Sequence, residues 1–183
     1  MYSLRKINKQ DALLKQDRRV FHTADLAVLW KIDNKNTLLT TIKRYIKSEI
    51  LYRIHKGLYS VIPLNKLHPF ELGCAVMGPL SYVSTETILQ NSGLIMQHVS
   101  QITLLGSKSK IYNINNTTYL CRYLAPQYLV NRTGINDQTR YATASLNRAT
   151  ADLEHLNPKY YLDNPKAIDQ NKLKQIKQSV GYK

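Results

Sequence analysis

The sequence predicts an α+β protein in two parts, and three observations carry that expectation. From Val20 to Ile62, two short helical segments are followed by two extended runs that pivot on Lys56-Gly57. Pro63 and Pro69 then bracket a short stretch, Leu64-Asn65-Lys66-Leu67-His68, of the kind that separates domains. Beyond it, strand and helix signals alternate in brief runs, which suits a small mixed α/β module. The expected domains are residues 1–66 and 67–183.

Residues 4–18 place Leu4, Ile7, Ala12, Leu13 and Leu14 among Lys, Gln and Asp, and read as a helix packed against the rest of the first part. Thr23 is expected to cap a helix over Ala24-Asp25-Leu26-Ala27-Val28-Leu29-Trp30, with Asp25 at the positive end of its dipole. Asp33-Asn34-Lys35-Asn36 is turn-prone, and Asn36 is expected to cap a second helix running from Thr37 to Glu49. At roughly 100° per residue, Leu38, Leu39, Ile42, Ile46 and Ile50 share one face of it. A hairpin comes next, Leu51 to His55 and Leu58 to Ile62, with Gly57 supplying the positive φ of a tight turn and Pro63 stopping the second strand. Helix, turn, helix and basic hairpin in that order describe a winged helix-turn-helix, a way for a small domain to lay a helix in the DNA major groove.

The outer face of the second helix carries Thr37, Thr40, Thr41, Arg44 and Ser48, flanked by Lys43 and Lys47. Hydroxyls and cations without a carboxylate suit base edges and phosphates. Thr37, Thr40, Thr41 and Arg44 are expected nearest the bases, with Lys43, Lys47 and the wing residues Arg53, His55 and Lys56 on phosphates. A solvated face is the commoner fate of a basic helix surface taken alone. The order of the elements favours the nucleic-acid reading.

Charge distribution points the same way. Lys and Arg number 26 against 12 Asp and Glu, a net charge of +14. Residues 1–67 hold 14 basic and 5 acidic side chains, net +9, while residues 68–135 carry net +2 and residues 136–183 net +3. The segment with the helix-turn-helix pattern thus owns most of the positive excess, as expected if it faces a polyanion. Arg5, Lys6, Lys9, Arg18 and Arg19 either extend that contact or are simply solvated.

In the second part, Phe70 to Met77 reads as a small buried helix stopped by Gly78-Pro79, with Glu71 near its start. Ser81 to Ser84 reads as a strand, Thr85 to Gln90 as a short helix with Glu86 in its first turn, and Ile102 to Leu105 as a third strand. Lys110 to Ile114 and Thr117 to Tyr123 alternate as a hairpin around Asn115-Asn116, residues that tolerate left-handed backbone. Thr143 to Leu156 reads as a helix with Asp152 and Glu154 outward or at its edge, closed by Pro158. Ile168, Leu173, Ile176 and Val180 form an apolar stripe on a basic C-terminal helix that is expected to pack or fray.

Composition excludes several classes. No run of 18 apolar residues occurs and no apolar segment succeeds the basic start as in a signal peptide, so no membrane partner and a cytoplasmic location are expected. Cys74 and Cys121 lie in apolar contexts that fit buried thiols. The histidines, His22, His55, His68, His98 and His155, stand at no metal-ligand spacing, and the Gly-rich phosphate loops and nucleophile elbow are absent, so no cofactor, metal or catalytic role is expected. Tyr45, Tyr52, Tyr59, Tyr112, Tyr119 and Tyr123 lie in basic company, a pairing used either for packing or for stacking on unpaired bases.

Four segments resemble the AbiE-type (AbiEi-like) antitoxins of bacterial type IV toxin–antitoxin, or abortive-infection, systems, a family also described as predicted transcriptional regulators of viral defence. They are Val20-Phe21-His22-Thr23-Ala24-Asp25-Leu26, the wing Ile50 to Tyr59, Leu80 to Leu89 followed by Ser92-Gly93-Leu94, and Ala144-Ser145 leading to Arg148-Ala149-Thr150-Ala151-Asp152-Leu153. The resemblance implies a DNA-binding antitoxin that represses its own operon and counteracts a nucleotidyltransferase toxin. Duplex operator DNA is the expected partner, read by a monomer or by a homodimer, whose two-fold symmetry would match inverted repeats. Two alternatives stay open: an RNA-binding protein that protects a toxin target, and a metal-dependent nuclease built on Glu71, Glu86, Asp137, Asp152 and Glu154.

Overall fold

The structure is a computed structural model that describes residues 8–182. The fold is mixed α+β, and the chain divides into two compact units between Leu67 and His68.

The first unit begins with α1 (Lys9–Leu14), capped by the Asn8 side chain, which accepts from the Gln10 and Asp11 N–H groups. This helix ends at Leu14, before the expected residue 18, and Leu4 and Ile7 lie outside the described residues. A strand that the sequence does not announce comes next, β1 (Val20–His22), and leads directly into α2 (Thr23–Trp30). Thr23 is not the cap of α2. Its N–H and hydroxyl both donate to the Gly57 carbonyl, at 2.9 and 3.3 Å, and His22 occupies the capping position with its N–H held by the Asp25 carboxylate at 2.7 Å.

Lys31, in the left-handed region at φ 53°, ends α2. Then α3 (Lys35–Lys47) begins two residues earlier than expected, because Asn34 and not Asn36 accepts the Thr37 N–H, at 3.0 Å. The hairpin β2 (Tyr52–His55) and β3 (Leu58–Ser60) turns at Gly57 with φ 83°, and a register shift between Arg53 and His55 marks an irregularity in β2. The antiparallel order is β1-β3-β2, with Phe21 and Arg53 both opposite Tyr59.

An apolar cluster of Leu13, Phe21, Leu26, Trp30, Leu38, Ile42, Leu51 and Tyr59 holds this unit together. At about 25 cal/mol per Å² of apolar surface, removing side chains of this size from water is the main favourable term. Trp30 incurs no polar penalty for its burial, since its indole N–H donates to the Lys9 carbonyl at 3.1 Å.

The second unit is built on a six-stranded mixed sheet of order β6-β7-β5-β4-β9-β8. Its elements are α4 (Pro69–Met77), β4 (Tyr82–Val83), α5 (Glu86–Asn91), β5 (Ile102–Gly106), β6 (Lys110–Ile114), β7 (Thr117–Tyr123), α6 (Pro126–Leu129), β8 (Ile135–Asn136), β9 (Thr143–Ala144), α7 (Leu146–Leu156) and α8 (Gln170–Val180). Strand β5 runs parallel to β7 and antiparallel to β4, and β4 runs parallel to β9. The β6–β7 turn has Asn115 and Asn116 at φ 49° and 61°, the left-handed backbone that Asn tolerates best after Gly.

Two expectations change here. Thr143 and Ala144 pair with β4 and β8 as strand, so α7 starts only at Leu146, with Ser145 accepting the Arg148 N–H. Asp152 does not point outward but is fully buried. The C-terminal helix packs: Leu173, Val180 and Ile168 join Leu153, Ala149 and Tyr82 in one core.

Candidate nucleic-acid interface

Helix α3 buries one side and presents the other. Leu38, Thr41 and Ile42 are buried, with Tyr45 and Ile46 half-buried beside them. At 100° per residue these five span one continuous arc, and Thr41 sits at its edge next to Tyr45. Thr41 is only 4% exposed, so it is not on the outer face where the sequence pattern put it. Tyr45, whose ring lies 5.1 Å from that of Trp30, widens the core-facing arc enough to take Thr41 in. Leu39 departs in the other direction and is 36% exposed.

The opposite arc holds Thr37, Thr40, Lys43, Arg44 and Lys47, all exposed. No carboxylate lies within α3; the nearest in sequence, Asp33 and Glu49, are exposed beyond its two ends. This arc of α3 therefore offers hydroxyl donors and acceptors beside three cations, with no acidic side chain among them to repel an anion.

Of the wing residues, Arg53 is exposed on β2 and Lys56 is exposed in the turn. His55 is half-buried, its Nδ1 2.9 Å from the Lys56 carbonyl. The two Thr23 hydrogen bonds to Gly57 fasten this turn to the first residue of α2. Exposed His22 and half-buried His55 both pair with Leu58, from opposite sides of β3. His22 was not among the expected contacts, because nothing in a three-residue strand announces which chain it will lie beside.

Among the flanking cations, Arg5 and Lys6 lie outside the described residues. Arg18 is committed elsewhere: its guanidinium is 3.0 Å from Asp25 and stacks 4.6 Å from the Phe21 ring centroid.

The acidic residues of the second unit do not converge. Glu86 is held by Arg122 at 2.6 and 2.8 Å, Asp137 by Arg132 at 2.8 Å, Asp152 by Arg148 at 2.8 Å, and Glu154 pairs with Lys177. Glu71 is buried. Arg132 holds the Asp137 carboxyl below its ordinary value. Among the described residues no three His, Cys, Asp or Glu side chains are grouped to hold a metal ion. Cys74 and Cys121 are buried and unbridged, their thiols pushed up to about 11 and about 12 by desolvation. No described helix is long and apolar enough to cross a membrane.

The basic-flanked tyrosines separate by environment. Tyr59 and Tyr119 are buried, and Tyr112 lies under the Lys110 ammonium, 4.7 Å from its ring centroid. Tyr123 is half exposed.

A buried polar cluster on α7 was not expected from the sequence. Arg148 and Asp152 are fully buried, and Asp152 accepts from Tyr82, Ser84 and Tyr182 at 3.0, 2.7 and 2.6 Å. Arg148 also donates to the carbonyls of Asn131 and Thr133 at 3.0 Å and of Tyr128 at 3.2 Å. The i,i+4 spacing of Arg148 and Asp152 was the available signal. No protein-family model matches the chain, and no curated protein matches it significantly.

Proposed function

We propose that this protein is a DNA-binding transcriptional regulator, acting in the cytoplasm and reading duplex DNA through α3. The observation that carries the reading is the exposed arc of Thr37, Thr40, Lys43, Arg44 and Lys47, cationic and free of carboxylates, on a helix whose other side is fixed in a core. The order helix, strand, helix, helix, strand, strand, with β1 completing the hairpin sheet, supports a winged helix-turn-helix. Thr37, Thr40 and Arg44 would face base edges, with Lys43, Lys47, Arg53, His55 and Lys56 on phosphates. Thr41, being buried, drops out of the set.

The resemblance to AbiE-type antitoxins extends this proposal to a protein that represses its own operon and counteracts a nucleotidyltransferase toxin. The test is a binding competition using the duplex upstream of the protein's own gene, an unrelated duplex and single-stranded RNA. The reading expects the upstream duplex to win at physiological salt. Preference for single-stranded RNA would replace it with the RNA-binding alternative.

A further inference from the structure

The second unit carries a cleft of about 660 Å³, within the range of small-molecule sites, roughly 300–1,000 Å³. Glu86, Arg122, Tyr123, Asn157 and Tyr160 line it together with Ser109, and Leu153 and Leu156 add apolar surface. We infer that this cleft binds a nucleobase, presented by a free nucleotide or by single-stranded RNA.

The chemistry of the lining selects the ligand. Arg122 grips Glu86 with both terminal nitrogens, at 2.8 and 2.6 Å, and the side chains are 30% and 8% exposed. Burial alone would raise the Glu86 carboxyl, but hydrogen bonds from Arg122, the Thr85 side chain and the Glu86 N–H, with the Arg122 charge, together outweigh it and keep the group below its ordinary value. Glu86 is therefore ionised at neutral pH, and the pair is neutral as a unit. For an anion such as a phosphate, the Arg122 charge is already neutralised and the ionised Glu86 carboxylate beside it repels, which disfavours it.

A neutral planar ligand meets no such barrier. The guanidinium has three N–H donors beyond the two given to Glu86, and it lies beside an acceptor-only carboxylate. Asn157 adds an amide donor and acceptor. That is a mixed donor and acceptor edge, the complement of a base edge, beside two tyrosine rings suited to stacking. Tyr123 is held at the cleft by its backbone N–H, which donates to the Ser109 hydroxyl at 2.9 Å.

Strain lies next to this pair. Thr85, the residue before Glu86, is fully buried at φ 51°, a left-handed conformation that a β-branched side chain rarely adopts. Such outliers concentrate at binding and catalytic sites.

The test is titration of the isotope-labelled full chain with AMP, GMP, CMP and UMP, with ribose 5-phosphate as the base-free control and a short single-stranded RNA as the second source. The expected result is amide shifts at Arg122, Tyr123 and Asn157 with nucleotide or RNA and none there with ribose 5-phosphate. Tyr123→Ala should weaken binding about tenfold, the scale of one lost base stack. Tyr123 and Asn157 are exposed, so Tyr123→Ala and Asn157→Ala should keep the wild-type melting temperature, and Asn157→Ala should shift the preference among bases. Response to RNA alone would assign the site to RNA bases. Equal response to ribose 5-phosphate, no cleft response to any probe at millimolar concentration, or unchanged binding in both variants would overturn the inference.

Discussion

Arg148 and Asp152 form a salt bridge of 2.8 Å with neither side chain exposed to solvent. The pair survives burial because its polar atoms are answered by Tyr82, Ser84, Tyr182 and three backbone carbonyls. Removing one partner strands the other in a low-dielectric core. Asp152→Ala is therefore expected to destabilise the second unit by about 3–5 kcal/mol, read as a lower denaturation midpoint. A change under about 1 kcal/mol would show that the cluster is solvated.

Gly57 sits at φ 83°, and a Cβ there would lie 3.5 Å from the Thr23 hydroxyl, an ordinary contact. Conformation rather than crowding thus sets the cost of substitution. Gly57→Ala is expected to destabilise the first unit by about 1–2 kcal/mol and to lower duplex affinity through the displaced wing. A midpoint equal to wild type would contradict the tight turn.

His155 stacks on Tyr182 at 4.3 Å, and desolvation lowers its pKa, with Asp152 opposing. Between the folded value and 6.5 the unfolded chain then binds more protons than the folded one. Stability is expected to fall as pH drops below 6.5 and to stop falling, as far as this group is concerned, once pH passes below the folded pKa. Measuring melting temperature against pH in wild type and His155→Gln checks it: the variant should lose that segment of the slope.

Arg44 and Lys47 occupy the same exposed arc of α3 and are assigned different tasks. If Arg44 reads a guanine, Arg44→Ala should cost about 1–3 kcal/mol on the operator and little on unrelated duplex. Lys47→Ala should weaken both equally and reduce the log–log salt slope by about 0.9, one phosphate's share. Anisotropy titrations at several salt concentrations separate the two outcomes.

Local chemistry made part of this fold legible. Both hairpins could be read because their turns need backbone that few residues adopt, supplied by Gly57 and by Asn115-Asn116. Helix α3 was legible from its period, except at the margin of the stripe, where the size of Tyr45 drew Thr41 inward and Leu39 was left partly exposed. Strands β1, β8 and β9 were not, because two or three residues carry no period and their pairing is fixed by distant partners. The environment of Asp152 was hidden for the same reason, since the hydroxyls that satisfy it come from 30 to 70 residues away. The Glu86–Arg122 pair, 36 residues apart on different elements, left no mark in the sequence.

The most direct measurement is the map of backbone amide shifts when the upstream duplex is added to the isotope-labelled protein. The account predicts perturbations centred on Thr37, Thr40, Lys43, Arg44 and Lys47 of α3, with a second group at Arg53, Lys56 and Gly57. Perturbations confined to the second unit, or a first unit that does not respond at physiological salt, would contradict it.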